Sequence, residues 1–160
     1  MDADKFKSLM RHQAGAVTII TVGPPGNRTG LTATAMCSLS DTPPTVLICV
    51  NRNASAHAPI RSCKCFGVNL LAQEHFDLAR RFSTKTVEGE ARFDADAWET
   101  LVTGAPALRQ ALATLDCELI DEHETQTHSI FIGRVLEGRF REDAQPLLYF
   151  RGDFWDVAKN

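Results

Sequence analysis

The chain has 160 residues, of which 44% are hydrophobic and 23% charged, the balance of one ordinary globular domain spanning residues 1–160. A formal net charge of −3 excludes the basic surface of a nucleic-acid binder, and no apolar run is long enough for a transmembrane helix. The polar start MDADKFKSLMRHQ lacks the apolar stretch of a signal peptide, so a cytoplasmic protein with no membrane partner is expected.

Phe6, Leu9 and Met10 stand at i, i+3 and i+4 and predict a short amphipathic helix over 4–12. AGAVTIITV (14–22) reads as a β-branched strand, GPPGNRTG (23–30) as a turn, and GLTATAMCSLS (30–40) as the second strand of a hairpin. That second strand is unusual. Alternation puts Thr32, Thr34, Met36, Ser38 and Ser40 on one face and Ala33, Ala35, Cys37 and Leu39 on the other. Neither face has the bulk that fills a core. Two readings remain open. Small and β-branched residues suit a pleated surface where sheets or subunits approach closely. Equally, a planar aromatic ligand would lie along such a smooth wall, with peptide groups at its polar edge.

TVLICVN (45–51) is apolar on both sides and predicts a buried strand, and CFGVNLLA (65–72) predicts another. The stretch 52–64 between them is polar and irregular. Phe76 with Ala79, and Leu78 with Phe82, give helical spacing over 73–82. Residues 83–98 lack a period and read as a surface excursion, and 104–115 as a Pro turn with a helical turn. The runs 113–124 and 128–140 alternate as strands, and 145–155 closes the chain. At least seven strands without regular crossover helices predict a mainly β fold, an antiparallel barrel.

The chemistry-bearing residues are few. Cys37, Cys49 and Cys117 sit in apolar strand runs. Cys63 and Cys65 lack zinc-site spacing and no second pair follows, so no metal is expected. His123 and His128 are five apart in what reads as a hairpin tip, not at helical metal spacing. No Gly-x-Gly-x-x-Gly follows a strand, which leaves a Rossmann fold unsupported. Asn51, Arg52 and Ser55 share a loop in which an Arg fork could hold a phosphate or simply face solvent.

MRHQAGAVTIITV, then GLTATAMCSLSDTPPTVLICVNRNAS, FGVNLLAQEHFDLARRF, GAPALRQALATLDCEL, HSIFIGRV and PLLYFRGDF, in that order, resemble the flavin reductase family of the split-barrel FMN-binding type over roughly residues 6–154. The resemblance implies a six-stranded, Greek-key-like split β-barrel forming a homodimer, with flavin in a groove near the dimer interface. It implies hydride transfer from NADH or NADPH to FMN or FAD, and delivery of reduced flavin to a partner flavin-dependent oxygenase. The chemistry would belong to the two cofactors, with no strong acid or base required of the protein.

Carried onto this chain, the backbone of Thr32, Ala33, Thr34 and Ala35 would contact the flavin ring or ribityl chain. Ser38 and Ser40 match the family's Ser-x-Ser near the ribityl or phosphate, and Asn51, Arg52 and Ser55 the loop approaching the phosphate. Phe66, Val68 and Asn69 match a strand flanking the flavin, with plain core packing an equal alternative for Phe66 and Val68. His128 matches the His of a Gly-Asp-His motif beside the nicotinamide and is the catalytic candidate. Here that motif reads Gln126-Thr127-His128, which leaves the loop shape open. Tyr149 matches an aromatic near the same pocket. Two alternatives keep the barrel: a reductase that retains its flavin and reduces a corrinoid or metal complex, or a non-catalytic flavin-binding module. A pyridoxamine-phosphate-oxidase-like role is more remote.

Overall fold

The computed structural model describes residues 1–94 and 96–157. Helix α1 (Ala3–Met10) starts where the Asp2 carboxylate accepts the Lys5 N–H at 2.8 Å, and none of its residues is buried. The strands that follow are short: β1 (Gly15–Ala16), β2 (Thr18–Val22), β3 (Thr29–Ala33), β4 (Met36–Asp41) and β5 (Pro44–Asn51). Helix α2 (His57–Cys63) and β6 (Cys65–Leu70) come next, then a 3-10 turn at Gln73–His75 leading into α3 (Phe76–Ser83). A small β7 (Trp98–Thr100) and β8 (Pro106–Leu108) precede the long β9 (Ala113–Glu124) and β10 (His128–Phe140). The β11 (Leu147–Phe150) and β12 (Asp153–Asp156) hairpin ends the fold.

Seven strands form one antiparallel sheet in the order β3-β2-β6-β9-β10-β5-β4. Its two edges, β3 and β4, are halves of a single stretch of chain, interrupted only at Thr34–Ala35. The first half pairs with β2 and the second with β5, so one stretch bridges both edges. Counted that way the barrel has six staves, as the resemblance implied, and it splits where the stretch changes partner.

The interior holds Ile20, Ile48, Val50, Phe66, Val68 and Phe131, all without exposed surface. A Cβ on Gly133 would collide with the Phe66 ring, so a glycine at that position lets Phe66 fill the barrel axis. Helix α2 contributes Ile60 to the same core. A second cluster lies outside β2, where Phe82, Phe93 and Trp98 stack edge-on, with Phe93 and Trp98 centroids 4.8 Å apart. Phe93 and Trp98, from a stretch with no sequence period, are therefore packed onto the barrel wall. Arg92 holds them there. It is buried, and its guanidinium donates to the carbonyls of Val87, Gly30 and Thr84 at 2.6, 2.5 and 2.6 Å.

The expected strand 30–40 is not continuous. The break re-aims its faces: Thr32 points out to α3, donating to the Ala79 carbonyl at 2.7 Å, while Met36 packs on the barrel core. The hydroxyls thus do not share one face. The expected strand 14–22 is likewise two pieces around Val17, because Gly15–Ala16 pairs with β11 and Thr18–Val22 with β3 and β6. The helical turn expected in 104–115 is instead the short β8.

Candidate functional site

Thr34 and Ala35 lie in the break, with no sheet neighbour of their own. The Thr34 carbonyl accepts the Met36 N–H and the Ala35 carbonyl accepts the Cys49 N–H, both at 3.0 Å. Among the described residues nothing accepts from the N–H of Thr34 or Ala35. Both residues are exposed, so two backbone donors are left without a protein partner, an arrangement water tolerates and a ligand's carbonyl edge would satisfy.

Two grooves meet at this point. The first, about 440 Å³, is lined by Thr32, Ala33, Thr34, Arg80, Tyr149 and Phe154. The second, about 490 Å³, runs under α1 and is closed by Thr34, Ala35 and Tyr149 on the barrel side. Thr34 and Tyr149 belong to both and form the wall between them. Tyr149 reaches that wall because β11 pairs with β1, setting it opposite Gly15. Ser83, one turn beyond Arg80 on α3, adds a hydroxyl to the first groove.

The residues expected at the site separate into five places. Thr32, Ala33, Thr34, Ala35 and Tyr149 come together at the grooves. Asn51, Arg52 and His128 gather at one barrel end, where β5 and β10 put Asn51 opposite His128. There Arg52 is tied to the β9–β10 hairpin, its N–H on the Thr127 carbonyl at 2.9 Å and its guanidinium 3.8 Å from Glu124. His128 is exposed, its Nδ1 2.9 Å from the Thr127 hydroxyl, and it is not among the residues lining either groove. Ser55 joins Thr29 through a 2.9 Å hydroxyl pair in a separate cleft walled by Arg28, Glu88 and Glu90. Arg28 is already engaged there by Glu90, and that contact holds the Glu90 carboxyl below its usual range.

Ser38 and Ser40 sit on β4 towards its turn with β5, and Ser40 Oγ accepts the Thr42 N–H at 3.1 Å. They lie away from the break because the register carries β4 toward that turn. Phe66 and Asn69 offer no surface at all. Asn69 donates to the Ile19 carbonyl and Thr21 hydroxyl, both at 3.1 Å, and accepts the Leu108 N–H at 2.7 Å. Its amide is consumed by joining β2, β6 and β8, which takes it out of the set that could touch a ligand in this groove.

Arg80 and the α1 residues along the second groove are absent from the sequence-derived site. Their signal was present in part: Phe6, Leu9 and Met10 mark an apolar face, but a helix period does not say what that face covers. The cysteines add nothing to the site. Burial pushes the Cys117 thiol up to about 12, and burial likewise raises Cys65, so neither is a thiolate. Among the described residues no group of three or more potential ligands could hold a metal ion.

The donor set suits a flavin. Its pyrimidine edge presents carbonyl oxygens and ring nitrogen that accept hydrogen bonds, and Ala33 and Ala35 leave room for a flat ring against the strand. A sequence profile described as a flavin reductase like domain matches residues 10–158. A protein named FMN reductase (NADH) RutF from Serratia proteamaculans is 39% identical over 159 residues, covering 99% of this chain and 90% of its own. Its namesake from Pantoea ananatis is 40% identical over 150 residues, covering 94% and 78%. Among solved structures, BorF, the flavin reductase component of a bacterial two-component tryptophan halogenase, superposes with a TM-score of 0.91. It is 30% identical and covers 99% of this chain and 100% of that one. SgcE6, an NADH:FAD oxidoreductase of Streptomyces globisporus solved with NAD and FAD fragments, gives a TM-score of 0.90 at 30% identity, covering 98% and 93%.

Proposed function

The chain belongs to the flavin reductase family, and on that premise we propose that it transfers hydride from NADH to FMN and hands the reduced flavin to a partner oxygenase. The observation that carries this reading is the pair of unused N–H groups at Thr34 and Ala35, opening where two grooves share a wall. FMN supplies the ring that accepts the hydride, and NADH supplies the hydride.

The protein's part is placement. The Thr34 and Ala35 N–H groups hold the ring's acceptor edge, and they gain strength as negative charge builds there. A hydrogen bond to a charged group contributes about 1.5–3 kcal/mol, against roughly 1 kcal/mol for a neutral one, so the donors favour the reduced ring. Thr32 is oriented by its bond to the Ala79 carbonyl, which fixes β3 against α3 and keeps that wall rigid. Tyr149 closes the groove opposite the strand. Holding two flat rings in register draws on the roughly 7–11 kcal/mol that orientation can supply. The reading of His128 as the nicotinamide residue rests on the family pattern alone, since it stands at the barrel end and lines neither groove. The altered Gln126-Thr127 before it is accommodated by the hairpin, where the Thr125 N–H and hydroxyl both bond the His128 carbonyl at 2.8 Å.

The chain is read as one functional domain acting as a homodimer. Support comes from the outer face of β4, β5 and β10, where Cys37, Leu39, Leu47, Cys49, Ile130 and Ile132 leave apolar surface uncovered. No described helix is long and apolar enough to cross a membrane. Five free cysteines fit the reducing cytoplasm.

The test is NADH and NADPH oxidation measured with FMN, FAD and riboflavin in turn, with size-exclusion chromatography of the flavin-loaded protein. The reading expects flavin-dependent NADH consumption with FMN favoured and flavin lost on the column. Flavin that stays bound through the column, with turnover only on an added acceptor, would favour the prosthetic-group alternative. Flavin binding without nucleotide turnover would favour the non-catalytic one.

A further inference from the structure

Resting on the flavin reductase reading, in which His128 serves the nicotinamide, we propose that His57 is a positioning residue for that histidine. Its Nε2–H clamps Ser129, and Glu122 keeps the proton on that nitrogen. His128 is exposed and its ring is bonded to the Thr127 hydroxyl beside it, so its place is set by its backbone. One short segment, residues 52–57, grips that backbone on both sides. The Arg52 N–H holds the Thr127 carbonyl at 2.9 Å, and His57 Nε2 lies 2.8 Å from Ser129 Oγ. Ser129 has no exposed surface and His57 only 6%, so this second grip is made in the interior. Phe131 fixes the His57 ring there, with centroids 5.2 Å apart and planes tilted by 55°. Strand β5 joins the clamp to the break: the Cys49 N–H bonds the Ala35 carbonyl, and Asn51 stands opposite His128. His128 is thus roughly 12 Å from Ala35, two strand spacings across and two residues along.

Which nitrogen of His57 bears the proton follows from Glu122. Register sets Glu122 opposite Phe131, and its Oε1 lies 3.9 Å from His57 Nε2. That is beyond hydrogen-bond reach, yet a carboxylate at that range favours the tautomer with hydrogen on Nε2. Nε2–H then donates to Ser129 Oγ. Arg61 stands one helical turn after His57 on α2. It holds the other oxygen of Glu122 at 3.0 Å and the carboxylate of Glu124 at 3.1 Å. Helix α2 therefore fixes Glu122, and Glu122 fixes the ring.

For packing alone this arrangement is costly. Glu122 Oε1 is buried, and among the described residues nothing donates to it. An acceptor left without a donor in the interior destabilises a fold, and an apolar side chain of similar size would avoid the cost. Turned toward Nε2 without bonding it, this oxygen acts through its charge on the tautomer. His57, Ser129 and Glu122 line neither groove, so the clamp acts on His128 and not on the flavin wall.

The experiment compares wild type with His57→Leu, His57→Gln, Ser129→Ala and Glu122→Gln, each also combined with His128→Ala. Leucine fills the ring's place without a donor, and the glutamine amide restores an N–H near Nε2. Kinetics vary NADH at saturating FMN, and FMN binding is titrated by fluorescence. Nitrogen NMR at about pH 8, where an ordinary imidazole is neutral, reads the His57 tautomer, assigned by its loss in His57→Gln. With His128 present, kcat/KM for NADH should fall about fivefold in His57→Leu and Ser129→Ala, part of what losing the His128 contact costs, and recover in His57→Gln. In the His128→Ala background the same substitutions should cost less than about twofold, since nothing is left to position. FMN affinity should hold throughout. Wild type should carry hydrogen on Nε2 alone, and Glu122→Gln should give mixed tautomers with an intermediate loss. Should His57→Leu not fold, Ser129→Ala carries the comparison. An equal loss in both backgrounds overturns the assignment, because packing does not depend on His128. So does wild-type kcat/KM in His57→Leu and Ser129→Ala, or a His128→Ala variant as active as wild type. If wild type oxidises no NADH with any flavin, the reductase reading falls instead, and the tautomers of wild type and Glu122→Gln still decide the clamp.

Discussion

Gly15 and Thr34 stand so close that a Cβ on Gly15 would fall 3.1 Å from the Thr34 Cβ. Gly15 also pairs with Tyr149, so a hydrogen in place of a side chain lets the two groove walls approach. Gly15→Ala forces Thr34 to give by a few tenths of an ångström, and Gly15→Val displaces it. The expected result is FMN affinity lowered at least tenfold, about 1.4 kcal/mol, in the valine variant and less in the alanine one. Fluorescence quenching of FMN measures it. Unchanged affinity in Gly15→Val would show that the ring does not use this wall.

Arg92 gives a second prediction, about the far wall. Its three donors meet three backbone carbonyls, and burial lowers its pKa while Glu88 opposes that shift. Arg92→Met keeps much of the apolar stem over Phe82 but leaves those carbonyls unpaired. A loss of about 2–4 kcal/mol in unfolding free energy is expected. Arg92→Lys should recover little, since a single ammonium cannot span three acceptors arranged around a planar fork. Chemical denaturation checks both.

Asn69 shows where sequence reading stops. By resemblance Asn69 belongs to a strand flanking the flavin, yet the barrel turns it inward to join β2, β6 and β8. Strand period tells which residues share a face, and closure decides which face is interior. Ser38 and Ser40 were displaced by a different cause, the two-residue break at Thr34–Ala35, which alternation could not register. By contrast the hairpin across 23–30, the strands at 45–51, 65–72, 113–124 and 128–140, and the helix ending at Phe82 were legible, because each follows one period without a change of partner. The Thr32–Ala35 stretch and Tyr149 were legible only through family resemblance. Arg80 was not, because a lone Arg on a helix carries no local signal of what it faces. For Asn69→Ala the structure predicts a loss of about 3 kcal/mol, or roughly 6–12 °C in Tm, with FMN affinity of the folded variant unchanged. A selective loss of FMN binding at unchanged Tm would restore Asn69 to the site.

His128→Ala separates the two substrates. The residue is exposed at the barrel end and packs on nothing the core needs, so Tm should move by less than about 2 °C, the shift of a surface change below 0.5 kcal/mol. If it guides the nicotinamide, kcat/KM for NADH falls about tenfold, one hydrogen bond to a polar ring, while the FMN dissociation constant holds. Equal kcat/KM in variant and wild type would remove His128 from the reaction.

His75 sets an acid limit on stability. Its Nδ1 accepts the Ala72 N–H at 3.1 Å, a role open only to the neutral ring. Burial lowers its pKa below the ordinary 6.5; Glu74 pulls it back up, and Arg141 adds to the lowering. A depressed pKa in the folded state means the contribution is complete above about 6.5 and is lost as pH falls through the folded value. His75→Asn keeps an acceptor for Ala72 and removes the proton site. Urea unfolding of wild type and variant at about pH 7.5 and about pH 5.5, either side of the ordinary value, should show the variant losing less stability on acidification. Parallel losses in the two proteins would place the acid sensitivity elsewhere.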